Sequence, residues 1–317
     1  MADVPVPKEK WTGKIGTVVL GATSEEGGSR AKRLTLGGET GMPFSSYEGG
    51  PPNSPLIAGE VLDCPGELPE PVRKEFGEAV NDSAAWAKAW VAHGADLVCL
   101  KLHSTNPEEL NCSPEEASQT VLRVLRAVDV PLIVYGSGHE EKDAKVLEAV
   151  SNIAPKERLL LGQAEETAYK SIAAAAMAND HAIISFANLD VNLSKQINIL
   201  LTDFGAGKER IVLDPLFACL GMGLEYSYSV MERIRLAALM GDSMLQVPLL
   251  CDTTSAWKAK EASEELEGLD GLEDRAVWWE TTTAVAALIS GADVLIMRSP
   301  KAAKIVRTAI DELTGGA

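Results

Sequence analysis

The side chains that could do chemistry stand one or two at a time directly after short apolar runs. They are Asp63 and Cys64, Lys101 and His103, Ser137 and His139, Gln163, Asn188 and Asp190, Asp214, Asp252 with Thr253 and Thr254, and Arg298 with Ser299. Two of Asp63, Asp214 and Asp252 could share acid/base work if their carboxyls lay within about 5–9 Å. Asp214 also precedes Pro215, and an Asp-Pro pair is a common turn former. Lys101 suits a Schiff base or an ion pair, and its position after an apolar run favours the pair. Arg298-Ser299-Pro300 sets a cation before a proline that would open a helix, where free N–H groups favour an anion such as phosphate. There is no Gly-x-Ser-x-Gly and no His-Glu-x-x-His motif. The four histidines lie far apart: His93 falls in the last turn of a helix, His181 opens a strand at the wrong end, and His103 and His139 are placed for function. No subset amounts to a catalytic engine.

The elements that must position these groups repeat one pattern. Apolar runs at residues 56–62, 97–102, 132–135, 158–161, 182–186, 211–213, 249–251 and 294–297 alternate with longer amphipathic segments. Helix signals follow the runs. Trp86 and Trp90 share a face and Gly94 closes their helix, Ser113-Pro114-Glu115-Glu116 is an N-cap with proline and acids in the first turn, and residues 231–239 form a strong helix. Gly94-Ala95-Asp96 returns as Gly291-Ala292-Asp293, and Val130-Pro131-Leu132 as Val247-Pro248-Leu249. Each repeat sits where a helix gives way to a buried strand. Eight such units predict an α/β fold, a (β/α)8 TIM barrel whose working groups gather at the C-terminal strand ends. A doubly wound open sheet is the alternative. Gly136-Ser137-Gly138 falls short of a dinucleotide fingerprint because Glu141 takes the third glycine's place.

Residues 1–55 read as an extension and 56–317 as the barrel. Within the extension, residues 14–20 and 33–36 form a β-hairpin expected to cover the barrel bottom, and a Gly/Pro-rich stretch, 37–55, follows. After the seventh run, residues 258–274 form an irregular insertion with seven acids and two lysines, either a solvated loop or a docking surface.

Across 317 residues, 46 acids against 29 bases leave a charge of −17, and 46% of residues are hydrophobic. That composition supports a large core and argues against nucleic acid or an anionic membrane as partner. No apolar stretch is long enough to span a bilayer, and residues 1–7 lack the pattern of a signal peptide. The reading is a soluble cytoplasmic chain. Cysteines 64, 99, 112, 219 and 251 are scattered with no CxxC, so the chain is not expected to hold an iron–sulfur cluster, a structural zinc or a disulfide framework.

The loops carry a distinctive vocabulary. It runs through Gly37-Gly38-Glu39-Thr40, Tyr47-Glu48-Gly49, Pro52-Asn53-Ser54-Pro55, Gly136-Ser137-Gly138, Asn188-Leu189-Asp190-Val191-Asn192, Gly221-Met222-Gly223-Leu224-Glu225 and Thr253-Thr254-Ser255-Ala256-Trp257. Together these resemble the small-subunit family of the corrinoid iron–sulfur protein of the anaerobic acetyl-CoA pathway. The delta subunit of the archaeal acetyl-CoA decarbonylase/synthase complex is its relative. The resemblance implies a TIM barrel paired with a large subunit that carries a [4Fe–4S] cluster and a corrinoid (cobalamin) domain. The corrinoid would lie between the subunits. It would receive a methyl group from methyltetrahydrofolate through a separate methyltransferase and pass it to acetyl-CoA synthase.

The chain itself lacks Asp-x-His-x-x-Gly, the loop that supplies a cobalt ligand in many corrinoid proteins. Its expected share is enclosure, with Ser137, Gly138, Asn188, Asp214, Gly223, Thr253, Thr254 and Arg298 as the cofactor-contacting set, no catalytic residue and no metal ligand. One rival is a pterin-dependent methyltransferase barrel gripping its ligand with Asp63, Asn188 and Asp214. A second is a purely structural scaffold.

Overall fold

The computed structural model describes residues 8–45, 47–48, 51–66, 68–268 and 271–315. The readings made on residues 1–7 and on Gly49 lie outside them. All eight apolar runs are strands, and none is a helix. After the hairpin strands β1 (Thr17–Leu20) and β2 (Leu34–Gly37) come β3 (Leu56–Leu62), β4 (Leu97–Lys101), β5 (Leu132–Tyr135), β6 (Leu160–Ala164), β7 (Ala182–Phe186), β8 (Ile211–Asp214), β9 (Leu250–Asp252) and β10 (Val294–Met297). Strands β3 to β10 pair in parallel in the order β8-β7-β6-β5-β4-β3-β10-β9. A parallel bridge between Leu213 and Leu249 brings the two ends of the sheet together. The result is the expected barrel rather than an open sheet.

Four strands start later than the sequence reading: the hairpin strands at Thr17 rather than 14 and Leu34 rather than 33, the seventh run at Leu250 rather than 249, and the fourth run at Leu160 rather than 158. Arg158 takes a left-handed backbone turn at φ 47°, and its guanidinium is held by Glu26 and Asp180 at 2.7 and 3.1 Å. The strand can start only after that turn.

Ten helices are described: α1 (Glu70–Phe76), α2 (Ser83–Ala92), α3 (Pro114–Ala127), α4 (Glu140–Ile153), α5 (Tyr169–Ala178), α6 (Val191–Asp203), α7 (Leu224–Leu239), α8 (Lys260–Ser263), α9 (Leu272–Ser290) and α10 (Pro300–Leu313). Their boundaries follow local chemistry. Asp82 caps α2 by accepting the Ala85 N–H at 2.7 Å, and Ser113 and Glu116 form a reciprocal capping box on α3. Trp86 and Trp90 are both buried and pack on Phe76 with ring centroids 5.6 and 5.2 Å away. The segment 258–274 is not wholly irregular, since it contains α8 and the start of α9. Among the described residues no helix is long and apolar enough to cross a membrane.

Strand alternation sorts the side chains into two cores. Outward residues such as Val61, Val98 and Leu213 pack under the helices. Inward residues Ala58, Leu97, Cys99, Ile133, Ile184, Val212 and Ile296 fill the barrel, and Val18, Leu20 and Leu36 of the hairpin belong to the same cluster. The hairpin therefore plugs the N-terminal end, as its sequence suggested.

Glu39, just beyond the hairpin, fixes the chain to that end. It lies against the buried Arg235 and Asp293, and burial plus the Asp293 charge push its carboxyl up to about 8 despite Arg235. The folded state thus prefers the protonated acid. Its stabilising contribution is complete below the ordinary glutamate range near 4.5 and is lost as pH rises through 8. Urea midpoints of the wild type, measured relative to Glu39→Gln, should fall between pH 5 and pH 9. A constant difference would contradict this account.

Candidate functional site

The inward parity that buries Ala58, Cys99 and Ile296 places Glu60, Lys101, Tyr135, Asp214, Asp252 and Arg298 in the top layer of the barrel. Glu60 is fully buried. The glycine before it makes room for the helix behind, because a Cβ at Gly59 would lie 2.2 Å from Trp90. The Trp90 indole in turn donates to the Glu60 carbonyl at 2.7 Å. The Lys101 ammonium donates to Glu60 at 2.7 Å, to Asp252 at 2.6 Å and to the Thr254 hydroxyl at 3.1 Å, so it reaches past β3 and β10 to β9. Arg298 grips both Glu60 carboxylate oxygens, at 2.5 and 3.0 Å.

Two cations and two carboxylates compensate one another on the floor of the mouth. Burial alone would raise the Glu60 carboxyl, but Arg298 and Lys101 hold it well below the usual range. Burial would likewise lower the Lys101 ammonium, and Asp252 and Glu60 raise it instead. Lys101 is therefore a locked cation rather than an amine nucleophile, in line with the ion-pair reading.

The other half of the floor is built on Asp214. Its Oδ2 accepts from the Tyr135 hydroxyl at 3.0 Å and from the Gln163 amide at 2.8 Å, and its Oδ1 from the Leu216 N–H at 3.0 Å. Burial pushes the carboxyl up to about 6 against these three donors, with Asp252 adding to the rise. A carbon-13 NMR titration of the Asp214 carboxyl should give a midpoint near 6. A midpoint in the ordinary aspartate range, about 4, would refute the desolvation argument.

The expected contact residues divide by accessibility. Asn188 is exposed on the rim after β7. Ser137 and Gly138 lie on the rim after β5 in a loop folded over Asp143, which accepts their N–H groups at 2.8 and 2.7 Å and the Ser137 hydroxyl at 2.8 Å. Gly138 has φ 91° and open space where a Cβ would point. Gly223 precedes α7 with φ 104°, a conformation that favours glycine. Asp214, Thr254 and Arg298 belong to the floor network. Thr253 stands apart: it is fully buried, and its hydroxyl donates to the Ile296 carbonyl at 2.8 Å.

The helix start at Pro300 exists, but it is not a vacant anion site. Buried Glu280 of α9 already accepts the N–H groups of Arg298 and Ser299, at 2.5 and 3.0 Å, and the Trp257 indole at 3.0 Å. The expected phosphate role there is corrected by this internal carboxylate, which burial pushes up to about 7. Asp63 is likewise committed, to the backbone N–H and hydroxyl of Ser104. His181 lies buried at the barrel bottom, where its Nδ1 accepts the Leu159 N–H at 3.1 Å. Among the described residues no cluster of three or more His, Cys, Asp or Glu side chains could hold a metal ion.

Reading single residues after each strand misses Glu60, Tyr135 and Glu280. For the first two the signal was present: period-two parity with Ala58 and Ile133 turns both inward. Glu280 sits in a long helix far from the strand ends, and no local pattern marks it.

A (β/α)8 barrel with a charge-compensated polar mouth is the class that fold and site define. The model of the CO dehydrogenase/acetyl-CoA synthase delta subunit family matches residues 17–310, and the chain belongs to that family. It is 38% identical over 307 residues to the acetyl-CoA decarbonylase/synthase complex subunit delta of Methanopyrus kandleri, covering 96% of this chain and 76% of that one. The corresponding subunit of Archaeoglobus fulgidus is 38% identical over 317 residues, with 97% and 70% covered. Among solved structures, dihydropteroate synthase from Thermus thermophilus superposes with a TM-score of 0.56 at 18% identity, covering 94% of this chain and 100% of that one. The Coxiella burnetii enzyme in complex with pteroic acid gives 0.57 at 14% identity, with 83% and 95% covered. These structures share the fold.

Proposed function

We propose that the C-terminal mouth of this barrel caps a corrinoid held mainly by a large partner subunit, in a cytoplasmic methyl-carrying heterodimer. One observation carries the reading: Lys101, tied to Glu60, Asp252 and Thr254, fills the mouth with a neutral ion network. A ligand recognised there is laid across the floor rather than sunk into a pit. Corrinoids suit such a surface, because the amide groups around a corrin need donors and acceptors, and the exposed Asn188 side chain on the rim supplies both. When bound, the corrinoid supplies methyl-accepting and methyl-donating chemistry at cobalt. This chain's residues bind its edge, orient it and exclude water from one face.

The [4Fe–4S] cluster is assigned to the partner, since this chain's cysteines 99, 219 and 251 are buried singly under its strands and helices. The methyl group would enter from methyltetrahydrofolate through a separate methyltransferase and leave to acetyl-CoA synthase. The rival pterin-dependent methyltransferase is weaker, because two of its three candidate grips, Asp63 and Asp214, spend their carboxylates on internal donors. Size-exclusion chromatography with metal analysis tests the choice. Cobalt should co-elute with this chain only when the large subunit is present, and the isolated chain should not consume methyltetrahydrofolate. Turnover by the isolated chain would overturn the proposal in favour of the enzyme.

A further inference from the structure

Seven of the eleven large apolar side chains exposed among the described residues fall on one side of the barrel: Leu216, Met222, Tyr226, Leu236, Met240, Trp278 and Ile289. Helical spacing explains the alignment. Met222 with Tyr226 and Leu236 with Met240 are each four residues apart along α7 and its entry loop, and Trp278 and Ile289 share the outward stripe of α9. The two helices run side by side but staggered, with the last residue of α9 level with the middle of α7. Near the mouth the Trp279 indole donates to the Leu220 carbonyl at 2.9 Å, and at the C-terminal end of α9 the Ser290 hydroxyl meets the Met231 sulfur at 3.4 Å and the Gly291 carbonyl accepts from Arg235. Tyr226 is 66% exposed and Met222 and Trp278 56% each, so the mouth-end half of the stripes forms an apolar patch, which exposed Arg233 separates from Leu236 and Met240.

Acids border that patch at its mouth end. Glu225 adjoins Tyr226, and exposed Asp274 precedes Trp278 by one turn on the same stripe. The acidic segment after β9 is pinned beside them, because Arg275 of α9 donates to the carbonyls of Glu261 and Glu264 at 2.8 and 3.2 Å. That leaves Glu264 and Glu265 exposed as a fixed wall.

We infer that the α7/α9 face, with this acidic border, is the docking surface for the large corrinoid-bearing subunit, which meets it with an apolar ridge flanked by lysines and arginines. The partner's identity rests on the function proposed above. Charge selects against the obvious alternative: a second copy would set acid wall and −17 charge against their like. Continuity selects for this partner, because the 216–223 loop joins the face directly to the barrel mouth. One subunit can therefore grip the side of the barrel while its cofactor lies on top.

The test is an affinity measurement between the purified chain and the corrinoid-loaded large subunit. Trp278→Ala and, separately, Tyr226→Ala should each weaken binding at least about tenfold, as exposed aromatic anchors do. Thermal stability should be unchanged, since both side chains already face solvent. Raising salt from about 50 to 500 mM should weaken the wild-type pair. Affinities within about twofold of wild type in both variants would overturn this surface while leaving the capping function standing. A wild-type pair that does not associate would overturn the capping function as well. Sedimentation of the chain alone should show a monomer; a dimer abolished by Trp278→Ala would overturn the inference by making a second copy the occupant.

Discussion

Replacing Lys101 with methionine is expected to lower the stability of the chain by about 3–5 kcal/mol, the usual cost of removing one partner from a buried ion network. The methionine keeps the volume and deletes only the charge and its three donations. Glu60 is fully buried and would keep Arg298 alone, while Asp252 would lose its cross-mouth cation. In a chain of this size that loss corresponds to a melting temperature lower by about 4–8 °C. Asp252→Asn added to Lys101→Met should recover part of it, because Asp252 is the carboxylate left without its cation and its charge is then removed. Chemical denaturation of the single and double variants measures both effects. A single variant within about 0.5 kcal/mol of wild type would mean that water reaches the floor and screens it.

The second large effect belongs to the rim. Asn188 is exposed after β7, so Asn188→Trp should fold normally while holding a flat ligand away from the floor. In the reconstituted heterodimer, reduced cobalt should then be oxidised on the order of tenfold faster, the equivalent of about 1.4 kcal/mol of lost protection. Asp293→Asn at the opposite end should lower stability, because Asp293 pairs with Arg235 and accepts the Leu249 N–H at 2.7 Å, and should leave cobalt protection unchanged. The reverse pattern would place the ligand at the bottom. A bulky substitution at Gly223 is the less clean probe. Its φ of 104° strains any side chain, so backbone distortion and steric exclusion would be mixed in one result.

The architecture was legible because the repeated unit is written in short-range chemistry. Gly94-Ala95-Asp96 and Gly291-Ala292-Asp293 mark two helix-to-strand turns, and in both the aspartate is bound at the strand start, Asp96 by Arg307 and Asp293 by Arg235. The hairpin followed from the alternation of its strands, while its place at the barrel bottom rests on Val18, Leu20 and Leu36 packing with the inward strand residues. What residue type and spacing do not disclose is how polar groups commit to one another across the barrel. Arg298 looks like an anion ligand until Glu60, 238 residues away, is seen to hold it. The N–H groups before α10 look free until Glu280 of α9 accepts them. Thr253 and Thr254 are neighbours, yet the tight turn after β9 sends one hydroxyl to β10 and the other back to Asp252. The residues that remain open along the rim are Asn188 and the loop around Ser137, and on the proposed function they are the ones that would meet the cofactor.

Hydrogen–deuterium exchange on this chain, bound to the large subunit with and without its corrinoid, tests the capping claim most directly. If the mouth covers the cofactor, corrinoid loading should slow exchange at residues 136–138, 188–192 and 216–223 and leave residues 17–20 and 34–39 at the opposite end unchanged. Slowed exchange confined to the hairpin end, or none on loading, would contradict the account.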